Sequence, residues 1–167
     1  MVFLSKEDSN KYLRLLCPQE MWAKFDTSSF SQKDFPCCVE FRDENGCRYY
    51  YLAKSIVNWM MPFSVSVLLI TEYGIFPSLE NLHLFQRVRL SYSESAPVFI
   101  TPGHLFMDFE SSDLITLLHL CMLFGWGGVI AAEGSKAAFF SHDGWIGLAG
   151  EDCNIVSDNW RERCKPR

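Results

Sequence analysis

The stretch AFFSHDGWIG, residues 137–146, sets Ser141, His142 and Asp143 side by side. These are the residue types of a hydrolytic triad, where an imidazole takes the proton of a hydroxyl and a carboxylate orients the imidazole. The chemistry needs nucleophile and base within hydrogen-bond reach. Successive residues of a strand point to opposite faces, so Ser141 and His142 do not easily meet inside one strand. Asp143-Gly144 is instead a favourable pair for a tight turn. The stretch therefore reads as the turn of a hairpin, with His142 alone kept as a candidate site residue. No G-x-S-x-G elbow occurs elsewhere to support a hydrolase.

Arg89 is the next candidate. On a helix over 79–92, with residues about 100° apart, Leu82, Phe85, Val88 and Tyr92 form an apolar face. Glu80, His83, Arg87 and Ser91 fall opposite. Arg89 projects between Leu82 and Phe85, where its head group must either reach the edge or meet an acid. Glu72 is the nearest plausible partner in sequence, with Asp108 and Glu110 as others. An arginine so placed makes a structural ion pair, or it recognises an anion in a pocket. His104 follows the Pro102-Gly103 turn and falls near the same element ends. Glu72, Arg89, His104 and His142 are thus the candidate ligand-binding set.

Other chemistry is thin. Glu80 and His83 have the E-x-x-H spacing of a di-metal helix, but no second copy exists, so with Arg87 they read as a solvated face. The four histidines, His83, His104, His119 and His142, are scattered without H-x-H or H-E-x-x-H spacing. His119 lies in a nearly all-apolar helix and reads as buried or at an interface. There is no G-x-x-x-x-G-K-[ST], no G-x-G-x-x-G and no C-x-x-C. No catalytic residue, metal or cofactor is assigned from the sequence.

The elements that must position these groups can be read from local signals. Ser5 followed by Asp8 starts a helix that Pro18 interrupts, and PQEMWAKF adds a short second helical piece. Residues 27–36 read as a loop. Two β-prone runs flank DENG, predicting a hairpin with strands at about 37–43 and 47–53. Residues 64–74 are a strand covered on both faces. Ser78 caps the helix from Leu79 to about Ser91. A strand over 96–110 is broken at Pro102-Gly103, and Ser111 or Ser112 caps a helix that Gly125 stops. Residues 126–149 read as a three-strand meander, and 150–167 as a loosely packed tail. The fold class is α+β, a largely antiparallel sheet with that C-terminal meander, packed against two or three helices.

At 167 residues the chain is expected to be a single globular domain. Fourteen Phe, six Tyr and five Trp favour a packed core and supply rings for a contact surface. The net charge of −5 disfavours nucleic acid and suits a basic protein partner. The seven cysteines, several in apolar runs, suggest a reducing cytoplasm, and adjacent Cys37 and Cys38 read as free thiols. Residues 114–132 carry no charge over about the length of a membrane span. The GWGG break and acidic flanks make them a buried helix running into a buried strand, so no membrane is expected. The apolar excess of the 112–124 helix leaves a homodimer through that helix open.

These features point to a non-enzymatic cytoplasmic protein-interaction domain, acidic and aromatic, with an immunity-like or antitoxin-like protein as its concrete version. The alternative is a small enzyme or ligand-binding domain with a pocket near Glu72, Arg89 and His104.

Overall fold

The computed structural model describes residues 1–26, 31–41, 47–73 and 79–164. The elements are β1 (Val2–Leu4), α1 (Lys6–Leu16), α2 (Gln19–Asp26), β2 (Cys37–Glu40), α3 (Cys47–Met60), β3 (Val65–Glu72), α4 (Leu79–Ser91), β4 (Gly103–Met107), α5 (Ser111–Leu123), β5 (Gly127–Ala132), β6 (Lys136–Ser141), β7 (Trp145–Ala149) and α6 (Asn154–Cys164). A 3-10 turn, Gln32–Asp34, precedes β2, and a second, Asp108–Glu110, precedes α5.

The strands form one seven-stranded sheet in the order β1-β4-β3-β5-β6-β7-β2, and each neighbouring pair is antiparallel. The class is α+β, and β5, β6 and β7 are the expected meander. Six helices are described rather than two or three, and they cover both faces of the sheet. The period-two alternation of β3 divides its side chains between two cores. Leu68 and Ile70 join Ile56 of α3, Leu118 of α5 and Val156 of α6 on one face. Val67 and Leu69 meet Leu13 of α1 on the other. A smaller cluster of Met21, Phe35, Trp145 and Ala149 extends that second face towards β7.

Local signals explain several boundaries. Ser5 caps α1 by accepting the Asp8 N–H at 3.1 Å. Gly125, with φ 64°, ends α5 in the left-handed conformation, and the chain then enters β5 as expected. Among the described residues no helix is long and apolar enough to cross a membrane. In α5 Leu114, Ile115, Leu117, Leu118, Cys121 and Met122 are buried, which enfolds most of the apolar excess in this chain's own core.

Four expectations are corrected. Residues 47–53 begin a helix, not the second strand of a hairpin, while the DENG turn lies outside the described residues, as does Ser78. Leu52, Ala53, Ile56, Val57 and Met60 recur with a helical period and are all fully buried, so packing overrides the strand preference of the tyrosines before them. The strand expected from residue 96 begins only at Gly103, because Pro97 O accepts the N–H groups of Ile100 and Thr101 in a turn. Ser111 and Ser112 do not cap α5. The chain enters it through the 3-10 turn, where Glu110 accepts the Met107 N–H at 2.9 Å. The segment read as a loose tail contains α6, whose Val156 and Trp160 are buried and whose Trp160 Nε1 donates to Glu40 O at 3.0 Å.

Candidate functional site

The fold divides the four candidate residues into two pairs. Arg89, in the last turn of α4, is fully buried. Its guanidinium donates to Thr101 O at 2.8 Å, to Ala96 O at 3.2 Å and to the Thr101 hydroxyl. It also meets His104 Nε2 at 3.2 Å and lies 4.9 Å over the Phe3 ring. Burial lowers its pKa to about 10, and the charge of Glu94 acts in the opposite direction. Glu72, Asp108 and Glu110, the acids expected from the sequence, are occupied elsewhere. Glu110 takes the N-terminal ammonium, Asp108 accepts the Phe109 N–H, and Glu72 meets His142. Glu94 was missed because it lies beyond the helix, where periodicity places nothing. The turn Leu90–Ser93, with Ser93 at φ 67°, brings it back.

His104 is also fully buried. Desolvation first, and then the Arg89 charge, hold its pKa down at about 3. It stays a neutral imidazole, and Arg89 donates to Nε2, which places the ring proton on Nδ1. Its neighbours are Phe3, Phe85 and Phe106. Arg89 and His104 therefore bind together α4, the 94–102 turn and β4. Their hydrogen bonds run to the chain itself.

The second pair sits at the far end of β3. Glu72 Oε2, at the end of β3, lies 2.6 Å from His142 Nδ1, in the turn after β6, across the intervening strand β5. Gly127 opposite Glu72 makes room, since a Cβ there would meet the Glu72 carboxylate. His142, Asp143 and Gly144 connect β6 to β7, with Gly144 at φ 83°. The Asp143 N–H donates to the buried Ser141 hydroxyl at 3.1 Å, and Gly144 N donates to Ser141 O. Ser141 thus secures the turn, and His142 meets Glu72, 70 positions away, through Nδ1, while its Nε2 lies 3.6 Å from Asp143 Oδ1. Glu80, His83 and Arg87 are exposed on α4, as a solvated face requires. Among the described residues no group of three His, Cys, Asp or Glu side chains is placed to hold a metal ion.

A small cleft of about 320 Å³ lined by Gln32, Glu40, Asp143, Gly144 and Trp145 adjoins the His142 turn, and larger concave features lie away from both pairs. A groove of about 950 Å³ is bounded by the start of α2, the Gln32–Asp34 turn, the β5–β6 turn and the end of β7. Glu20, Asp34 and Glu151 line it, and no Lys, Arg or His does so among the described residues. The aromatic cluster beneath fixes its shape. Phe35 stacks on Phe139 at 6.1 Å and meets Trp145 edge-on at 5.8 Å. Phe35 fits because β7 offers Gly147 below it, where a Cβ would come within 2.2 Å of the ring. Asp34 is positioned in turn by accepting the Ser31 N–H at 2.8 Å. Nothing local in the sequence marks these acids, which stand at 20, 34 and 151.

Comparison with family models, with curated proteins and with solved structures finds no match to this chain.

Proposed function

We propose that this protein is a non-enzymatic interaction domain that receives a basic segment of a protein partner in the groove between α2 and the end of β7. The observation that carries this reading is the convergence of Glu20, Asp34 and Glu151 on a groove of about 950 Å³ without a cationic lining side chain among the described residues. A Lys or Arg entering there meets only attractive charge, which raises the encounter rate and fixes orientation. The rings of Phe35 and Trp145 beneath hold the backbone that displays the acids, so the surface is pre-organised. Arg89 and His104, the residues with the strongest claim to a buried ligand site, direct hydrogen bonds to the chain itself, and Arg89 Nε and His104 Nδ1 are buried without a hydrogen-bond partner among the described residues.

The finer form of the proposal is an immunity-like or antitoxin-like role in the cytoplasm. An enzyme that acts on a polyanion carries a basic cleft, and an acidic groove on a protein of net charge −5 is complementary to such a cleft. The free thiols of Cys17, Cys37, Cys38, Cys121 and Cys153 support a reducing compartment.

The test uses a lysine-rich peptide first, titrated into isotope-labelled protein, and then the product of the adjacent reading frame as partner. Saturable shifts at residues 18–21, 34–36 and 149–151, weakening as salt rises, are expected. The Glu20→Lys and Glu151→Lys pair should lower affinity by roughly tenfold or more. Undiminished binding by that double variant would overturn the proposal.

A further inference from the structure

The opposite side of the β7–α6 turn has the reverse electrostatic character. A cleft of about 460 Å³ opens between α3 and α6, with Lys136 of β6 in its lining. The helices run antiparallel here. Arg163 near the end of α6 lies 4.6 Å over the Tyr51 ring near the start of α3, while Trp59 near the end of α3 donates to Glu151 O, just before α6, at 2.8 Å. Helical spacing aligns the walls. Tyr51, Ser55 and Asn58 follow one stripe of α3, and Ile155, Asn159 and Arg163 follow one stripe of α6.

The charge of this cleft departs from that of the chain. Three cationic side chains, Lys54, Lys136 and Arg163, line it against one carboxylate, Asp152, in a protein of net charge −5. Their hydrogen-bonding capacity is largely unspent. Lys136 donates once, to Trp59 O at 2.6 Å. Among the described residues Lys54 and Arg163 form neither a hydrogen bond nor an ion pair, and Arg163 is held by the ring of Tyr51. Ser55, Asn58 and Asn159 add neutral donors and acceptors.

We infer that the α3–α6 cleft binds a small phosphate-bearing molecule, with Lys54, Lys136 and Arg163 as its anion contacts. A single carboxylate would satisfy one cation, whereas a phosphate offers several oxygens and more than one charge to three of them. Arginine presents a planar fork to two oxygens, and the lysines act as point charges. Lys136 stands at the Trp59 end of the cleft and Arg163 at the Tyr51 end, so a compact ligand with more than one phosphate charge engages both, and Asp152 accepts from a hydroxyl of the ligand. The volume is within the range of roughly 300–1,000 Å³ usual for small-molecule sites.

Pyrophosphate titrated into isotope-labelled protein at constant ionic strength tests this. Saturable shifts confined to residues 51–59, 136 and 152–163 are expected. Lys54→Glu, an exposed substitution, should weaken binding roughly tenfold with unchanged thermal stability, and Arg163→Glu similarly. Lys6→Glu, on α1, should change nothing. Shifts that grow linearly and spread over surface lysines would overturn the proposal, as would charge reversals without effect. So would a cleft saturated by a short single-stranded oligonucleotide and indifferent to pyrophosphate.

Discussion

Arg89 and His104 are buried groups of high desolvation cost, and their partners decide what they do. Arg89 donates its fork to two carbonyls of the 94–102 turn, so lysine is not an equivalent replacement. Arg89→Lys should cost about 2 kcal/mol or more, and Arg89→Ala about 3–5 kcal/mol, in urea unfolding. A lysine variant as stable as the parent would remove the structural role given to the guanidinium. His104 makes a distinct forecast. Its folded value of about 3 lies below the ordinary 6.5, so on acidification the unfolded chain takes up a proton that the folded chain refuses. This contribution to stability is complete above about pH 6.5 and is lost progressively as pH falls from there towards 3. Its slope approaches about 1.4 kcal/mol per pH unit, and His104→Gln should remove it. Equal slopes in the two proteins, measured by denaturation across that window, would contradict the buried neutral imidazole.

At the scale of elements, the informative cases are those where packing overrode local preference. RYYYLA has the composition of a strand, yet it enters α3, because the residues after it repeat with helical spacing and find the sheet face. The polar stretch after β7 hid α6, because its apolar residues are few: Val156 and Trp160 reach the core, with Cys153 just before the helix. Trp160→Ala should therefore destabilise the protein by about 3–5 kcal/mol. A frayed tail would tolerate it within about 0.5 kcal/mol, as surface changes do. Gly147 is a second test of packing. A methyl there meets Phe35, so Gly147→Ala should cost about 1–3 kcal/mol and disturb the groove through Asp34. Unfolding curves report the first effect, and loss of peptide affinity reports the second.

Over the whole molecule, charge is segregated. Glu151 and Asp152 are neighbours in sequence, but the first lines the acidic groove and the second the cationic cleft. A net charge of −5 conceals both surfaces, since a sum carries no positions. The sheet ends in two short strands, β1 with three residues and β2 with four, which limits the exposed hydrogen-bonding edge. The layers on both faces also bury thiols. Burial pushes Cys17 and Cys153 up to about 12 and raises Cys121 as well. At pH 8 these three should resist alkylation by iodoacetamide in the folded protein and react on unfolding, as peptide mass mapping would show. Rapid modification of Cys121 without loss of structure would contradict the enclosed packing of α5.

The sequence by itself determined what depends on neighbours along the chain. Ser5 and Asp8 form a cap within one helical turn, and Gly125 ends a helix by its own conformation. The alternation of β3 follows from the pleat, and the β6–β7 turn from Asp143-Gly144. The meander joins strands that are consecutive in sequence. It also placed Arg89 on an apolar helix face. Only the tertiary structure decided which groups meet: Arg89 with Thr101 and His104, Glu72 with His142, and Glu20 with Asp34 and Glu151. The physical reason is that a capping bond or a turn is fixed by a few backbone angles, whereas such encounters depend on strand order and on helix packing across the sheet. Those are set by burial summed over the whole chain, and burial has no local spacing to read.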